Sequence, residues 1–223
     1  MFHGFGHLLI IGAWMTVKLA VAGLVVGLAL GLIGAAAALS RFAPLRWAAN
    51  TWNTLMRGLP EMLLVLILYY GTGEVLSRIT GEHVTLSAFA AGATALGIAF
   101  GAYAAEVFRS ALLEIPKGQR EAALALGLSR RDTFTRITLP QVWRLALPGL
   151  GNLFIVLLKD TALVSIIGLD ELMRQAENAA NFTKLPFSFY LAASGIYLLL
   201  TFVAMQAIQH MERQTNRGQR KAA

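Results

Sequence analysis

Three stretches of this chain, Leu19 to Ser40, Thr85 to Ala105 and Leu185 to Met211, contain no Asp, Glu, Lys or Arg. A helix needs roughly 20 apolar residues to cross the hydrocarbon core of a bilayer, so each stretch is long enough to span it. A backbone in lipid must satisfy its own hydrogen bonds, which makes helices the natural form for runs of this kind. The composition agrees. Hydrophobic residues make up 57% of the 223 and charged residues 14%, where soluble domains carry roughly 25% charged residues. The chain has no cysteine, which removes disulfide frameworks and thiolate metal sites.

Two shorter apolar runs, Met62 to Tyr70 and Leu145 to Leu158, can cross only by recruiting polar neighbours. The first is expected to reach back through Asn50–Glu61 and the second to run on through Lys159–Gly168. Arg57, Glu61, Lys159 and Asp160 then stand at or near membrane depth. The expected architecture is an all-α membrane protein, one domain over 1–223, with five spans near 8–40, 50–73, 85–109, 142–168 and 186–210.

Five crossings put the termini on opposite sides. Arg41 and Arg46 fall in one loop. Arg109, Lys117, Arg120, Arg130, Arg131, Arg136 and Arg144 fall in another, and Arg213, Arg217, Arg220 and Lys221 in the tail, all on one side. The other side has Arg78, Arg174 and Lys184. This bias places the N-terminus outside and the C-terminus in the cytoplasm. The net charge of +7 is thereby read as cytoplasmic loop charge, with the lipid bilayer as partner and no nucleic acid. The N-terminus, MFHGFGHLLIIGAW, lacks the basic region of a cleaved signal peptide, so the first helix is expected to be retained.

Smaller features fit this frame. Gly23, Gly27 and Gly31 recur every fourth residue and offer a face on which another helix can pack closely. Trp14, Trp47, Trp52 and Trp143 fall near the expected span ends, as in an aromatic belt. His3 and His7 stand one helical turn apart with no carboxylate beside them, and no metal site is expected. Leu169–Asn181 carries Asp170, Glu171, Arg174 and Glu177 on a helix-like pattern. It reads either as a solvated helix or as an outer surface that meets a soluble binding protein.

The middle of the chain is polar. EAALALGLSRRDTFTRITLP, Glu121 to Pro140, lies in a loop expected over 114–140. Pro116 suits a first helical turn. Lys117 to Leu126 reads as a helix with Ala122, Ala125 and Leu126 on one face. Gly127 can take the left-handed conformation that ends it. Ser129 and Asp132 suggest a capped start to a second helix, and Pro140 is expected to end the stretch. On these grounds alone, a solvated loop covering helix ends fits equally well.

The pattern E-A-A, three residues, Gly127, nine residues, Ile137-x-Leu139-Pro140 resembles the EAA loop in membrane subunits of bacterial ATP-binding-cassette importers. Three further stretches resemble the polar amino acid branch of that family: RGLPEMLLVLILYYG from Arg57, GAYAAEVFRSALLEIPKGQREAALALGLS from Gly101, and LKDTALVSIIGLDEL from Leu158. The likeness runs from about Val17 to Arg213 and is greatest to permeases for histidine, other basic amino acids and opines. Ser110 departs from it, standing where the family often has Gly. The resemblance implies a type I importer permease in the bacterial inner membrane whose cytoplasmic loop docks on an ATPase through Glu121, Ala122, Ala123 and Gly127. It also implies a second permease subunit, identical or related, two ATPase subunits and a soluble extracytoplasmic substrate-binding protein. No G-x-x-x-x-G-K-[ST] occurs, so no cofactor is expected in this chain, and ATP and Mg are expected in the partner ATPases.

Charges at membrane depth cost roughly 2.5–3.5 kcal/mol each on insertion scales and face partners or water-filled cavities. Glu61 follows Gly58, Leu59 and Pro60, where the helix is expected to be irregular, and irregular backbone at depth lines cavities. With Asp160 it offers two acids for the side chain and ammonium of a basic amino acid. A backbone N–H near Gly58 or Thr161 can take the carboxylate. Gly58, Leu59, Glu61, Asp160 and Thr161 are thus the candidate substrate residues. Two alternatives stand: Glu61 paired with Arg57 at i, i+4, and Asp160 paired with a partner subunit. An acid at Glu61 resembles the basic amino acid permeases more than those for glutamine or glutamate, which remain the alternative. A membrane-embedded enzyme would need His, Asp or Ser groups clustered at one depth. A proton-coupled carrier could use Glu61 or Asp160 as relay, but would leave the basic loop without a purpose.

Overall fold

The computed structural model describes residues 4–82 and 86–216. His3, Thr85 and the tail charges Arg217, Arg220 and Lys221 lie outside them. The described residues are helical throughout their ordered elements, with no strand, and five helices are long and apolar enough to cross a membrane. Helix α1 (Gly6–Ala38) is 33 residues long, about 50 Å at 1.5 Å per residue. Its buried positions Thr16, Leu19, Ala20, Gly23, Gly27, Gly31 and Ala35 form one stripe at helical spacing.

Next comes α2 (Ala43–Gly58), which opens with Pro44 in its first turn and buries just Asn53. Leu45, Trp47, Trp52 and Leu55 are exposed along it. Such an amphipathic helix suits the membrane surface. Leu59 (φ −91°, ψ 135°) and Pro60 (φ −59°, ψ 132°) then leave helical geometry, since proline disfavours the α region in the residue before it.

The second crossing, α3 (Glu61–Thr80), starts at this break. It does not reach back through Asn50 as the sequence suggested, because that segment belongs to α2. Instead it runs forward through a π-helical turn at Ile67–Gly71 and stops at Gly81 with φ +73°. Its central neighbour is α4 (Ala88–Glu114), opened by Ser87, whose hydroxyl accepts from the Ala90 N–H at 3.2 Å.

The seam between α1 and α4 is built from glycine on both sides. A Cβ on Gly27 would stand 2.5 Å from Phe100, and one on Gly31 2.7 Å from Ala104. Reciprocally, a Cβ on Gly97 would meet Val26 at 2.6 Å and one on Gly101 would meet Leu30 at 2.8 Å. Dispersion contacts between closely packed helices supply the association that water supplies elsewhere.

The polar middle folds as a helical corner. Helix α5 (Lys117–Ala125) follows Pro116 and ends with Leu128 N–H donating to Ala123 O and Gly127 N–H to Leu124 O. These two bonds and Gly127 at φ +81° form a Schellman motif. Ser129 caps the next helix, accepting from Asp132 N–H at 3.0 Å and donating to its carboxylate. That helix, α6 (Arg130–Ile167), is continuous. Pro140 does not end it. A π-helical turn at Thr133–Thr138, with Leu139 N–H reaching Phe134 O, precedes the proline and absorbs the ladder bond that its missing N–H cannot make. Helix α6 closes as a 3-10 segment, Thr161–Ile167, and turns at Gly168.

Helices α7 (Leu172–Thr183) and α8 (Pro186–Thr215) complete the described residues. Leu172, Ala176, Ala179 and Ala180 of α7 pack with Leu9, Phe189 and Ala193 as a second apolar cluster at the N-terminal end of α1.

Candidate functional site

Glu61 sits at the first residue of α3 because Pro60 starts the helix there. Asp160 sits 99 positions later in α6. The fold brings both to one cavity of about 250 Å³, whose remaining lining is Leu96, Ala99, Phe100 and Tyr103 of α4 and Leu153, Val156 and Leu157 of α6. The α4 residues occupy the middle of that 27-residue helix, so the cavity lies at mid-depth of the bundle. Its walls are apolar apart from two carboxylates and one phenol. Such a chamber offers little to an anion and much to a cation with an aliphatic stem.

The Arg57–Glu61 pair does not form. An i, i+4 contact needs one helix, and Leu59–Pro60 divides the two residues. Arg57 Nε donates to Asn53 O at 3.3 Å, and the Arg57 carbonyl accepts from the Tyr103 hydroxyl at 3.3 Å. Gly58, the last residue of α2, and Leu59, in the extended linker after it, are exposed. Thr161 is fully buried, its hydroxyl donated to Leu158 O at 2.7 Å and its N–H to Leu157 O. Neither group of Thr161 is therefore open to a ligand. Lys159, beside Asp160, is exposed and faces away from the cavity. Lys18 is exposed within α1, an intramembrane cation that the reading of the runs passed over.

A second, more polar cavity of about 580 Å³ lies between the C-terminal end of α1, α2 and α4. Arg46, Asn50, Asn53, Arg57, Glu106 and Arg109 line it, and Arg109 pairs with Glu106. Arg57 of this cavity and Tyr103 of the first are joined by the bond just described. Tyr103 is the link that sequence reasoning missed. Its signal was a hydroxyl-bearing aromatic one turn before Glu106 in an otherwise apolar run.

The helical corner presents Glu121, Ala122 and Gly127 to solvent, while Ala123 is buried against the rest of the chain. Leu126, on the same exposed face, is 81% accessible. Gln141 of α6 donates to Gln119 of α5 at 2.7 Å and to Ile137 O at 2.8 Å. The short helix is thereby tied to a membrane-crossing helix.

Glu171 is not the surface acid that its pattern suggested. It is fully buried, and its carboxylate accepts from Met173 N–H (2.9 Å), Arg174 N–H (2.8 Å), Tyr197 OH (2.9 Å) and Thr16 OH (3.3 Å). It thus caps α7 and clamps it to α1 and α8. Burial raises its pKa above the usual carboxylate range, opposed by those four donors.

An all-helical, five-crossing protein with a cation-suited chamber at mid-depth and a rigid exposed corner belongs to the solute-translocating class. Sequence comparison makes this specific: the chain belongs to the family of binding-protein-dependent transport system inner membrane components, whose family model matches residues 23–217. It is 45% identical to the arginine ABC transporter permease protein ArtQ of Haemophilus influenzae over 222 residues, covering 99% of each chain. It is 42% identical over 220 residues to the octopine transport system permease protein OccQ of Rhizobium radiobacter, covering 96% of this chain and 93% of that one. Among solved structures, a crystal structure of an amino acid ABC transporter with histidines matches with a TM-score of 0.81 and 33% identity, over 93% of this chain and 94% of that one. The chain is a permease subunit of a polar amino acid ABC transporter, not an enzyme. Family membership implies a multi-pass inner-membrane protein that works in a complex with ATPase subunits.

Proposed function

We propose that this permease imports basic amino acids or opines, and that Glu61 and Asp160 form the cation end of its substrate site. The observation that carries the reading is the convergence of these two carboxylates, from separate helices, on one apolar chamber at mid-depth. A guanidinium or ammonium desolvated there gains the charge-assisted hydrogen bonds that make such pairs strong. Gly58, at the end of α2, and Leu59, in the extended linker before Glu61, supply backbone on which the substrate carboxylate can rest. Thr161 supports the site from behind by fixing the point where α6 passes into its 3-10 segment. The two relatives described above are named for arginine and octopine transport, and both solutes carry a guanidinium, which the chamber suits.

The transport cycle needs a second permease subunit, identical or related, two ATPase subunits that bind ATP and Mg, and a soluble binding protein on the outer side. Lys159, exposed in a crossing helix, supports the second subunit, because a cation at that depth calls for a partner other than lipid. The ATPase docks on Glu121, Ala122, Ala123 and Gly127. Gathering of Arg41, Arg46, Arg57, Arg109, Arg120 and Arg130 around two cavities at one end of the bundle supports that end as cytoplasmic. The N-terminus is then outside and the C-terminus inside.

Uptake by the complete transporter in vesicles tests the substrate class. Labelled arginine should be competed by lysine, ornithine and octopine and spared by glutamine and glutamate. Equal competition by glutamine would move the chain to the neutral amino acid permeases.

A further inference from the structure

A third cavity, of about 270 Å³, lies under the helical corner and is lined by Arg41, Arg120, Arg130, Leu124, Phe134 and two threonines. The three arginines come from three elements: the turn after α1, helix α5 and the first residue of α6. Among the described residues none of them makes an ion pair or a side-chain hydrogen bond. The nearby acids do not compensate them. Asp132 is held by Ser129 and Arg136, and Glu121 lies outside the lining. Three guanidiniums are thus gathered round one opening with nothing negative among them, an arrangement whose self-repulsion calls for an anionic ligand.

The position of the cavity identifies the anion. Arg41 stands three residues past the end of α1, and Arg130 begins α6, so the opening is level with the end of two crossing helices. The chain next to Arg41 is built for the membrane surface: Phe42 is 65% exposed, Trp47 72%, and α2 is amphipathic throughout. Leu124 and Phe134 add an apolar wall beside the charges. A basic pocket between helices at this level, with apolar surface adjoining, suits a phosphate on an acyl chain.

We propose that Arg41, Arg120 and Arg130 bind the phosphate of an anionic phospholipid from the cytoplasmic leaflet, which ties the α1–α2 turn to the coupling helix. The proposal rests on the corner being cytoplasmic. Its consequence is that the docking helix is braced by the membrane itself as well as by Gln119 and Gln141.

The test is native mass spectrometry of the assembled transporter released from vesicles of mixed phosphatidylethanolamine and phosphatidylglycerol. Phosphatidylglycerol should be retained by the wild type over phosphatidylethanolamine. The Arg41→Gln/Arg130→Gln variant should retain it roughly 30-fold less, at about 1 kcal/mol for each charge. Arg46→Gln, the same charge change outside the cavity, should behave as wild type. Equal retention by the double variant would overturn the proposal. A parallel titration with inorganic phosphate in lipid-free detergent separates the sources: if phosphate raises the melting temperature through the same arginines and phosphatidylglycerol does not compete with it, the ligand is soluble. A crosslink from position 41 to the ATPase subunit would mean that protein fills the cavity, and would likewise overturn it. Lipid retention is read without transport, so it can fail while the substrate assignment stands.

Discussion

At the scale of single residues, the half-buried acids Glu61 and Asp160 and the fully buried Glu171 serve opposite ends. Glu61 and Asp160 have few protein partners and face a chamber; Glu171 has four donors and faces none. Glu61→Gln and Asp160→Asn should each raise the KM for arginine uptake by roughly 10–100-fold, the value of a charged hydrogen bond at about 1.5–3 kcal/mol, with the complex still assembled. An unchanged KM in reconstituted vesicles would remove that residue from the site. Glu171→Ala should instead lower thermal stability by roughly 2–4 kcal/mol, because it removes a helix cap and leaves buried donors unpaired. The pH dependence has a definite sign. A carboxyl whose folded pKa is raised contributes stability that is complete below its unfolded pKa and lost as pH rises through the folded value. Melting temperatures measured from about pH 4 to pH 8 should therefore fall with pH more in the wild type than in Glu171→Gln.

At the scale of elements, the α1–α4 seam and the corner carry the strain of close design. Gly27→Val would drive a branched side chain into Phe100 and should cost roughly 1–3 kcal/mol or more by overpacking, read as a lower melting temperature and poorer yield in detergent. Gly127→Ala places a Cβ at φ +81°, at a cost of roughly 1–2 kcal/mol. Its expected signature is functional: arginine-stimulated ATP turnover should fall more than arginine binding does. Equal losses would make Gly127 a matter of folding alone. The five crossings were legible because run length and charge decide them. So was the glycine face of α1, though not Gly97 and Gly101 on its partner, which lie in a run where small residues are everywhere. The direction of the second crossing was missed because its polar C-terminal half hides its length, while the break before Glu61 at Leu59–Pro60 sets its start. The Arg57–Glu61 spacing misled by counting residues across Pro60, whose effect on the residue before it was available to read. Pro140 misled in the other direction, because π-helical geometry upstream absorbed the break.

At the scale of the whole molecule, the fold arranges three polar regions along one polypeptide: a clamp around Glu171 at the N-terminal end of α1, a two-acid chamber at mid-depth, and an arginine-rich end that holds the helical corner. Helix α6 joins the last two, starting at the corner and carrying Asp160 near its far end. On the proposed docking of an ATPase at the corner, a push on α5 would be carried by one continuous helix, fastened by Gln141, to the wall of the chamber, a rigid-body route from a docking site to a binding site. The most direct test is ATP turnover by the reconstituted transporter, with its binding protein, in response to arginine. The wild type should be strongly stimulated and the Glu61→Gln/Asp160→Asn double variant should lose that stimulation, with basal turnover intact. Undiminished stimulation in that variant would contradict the proposed site.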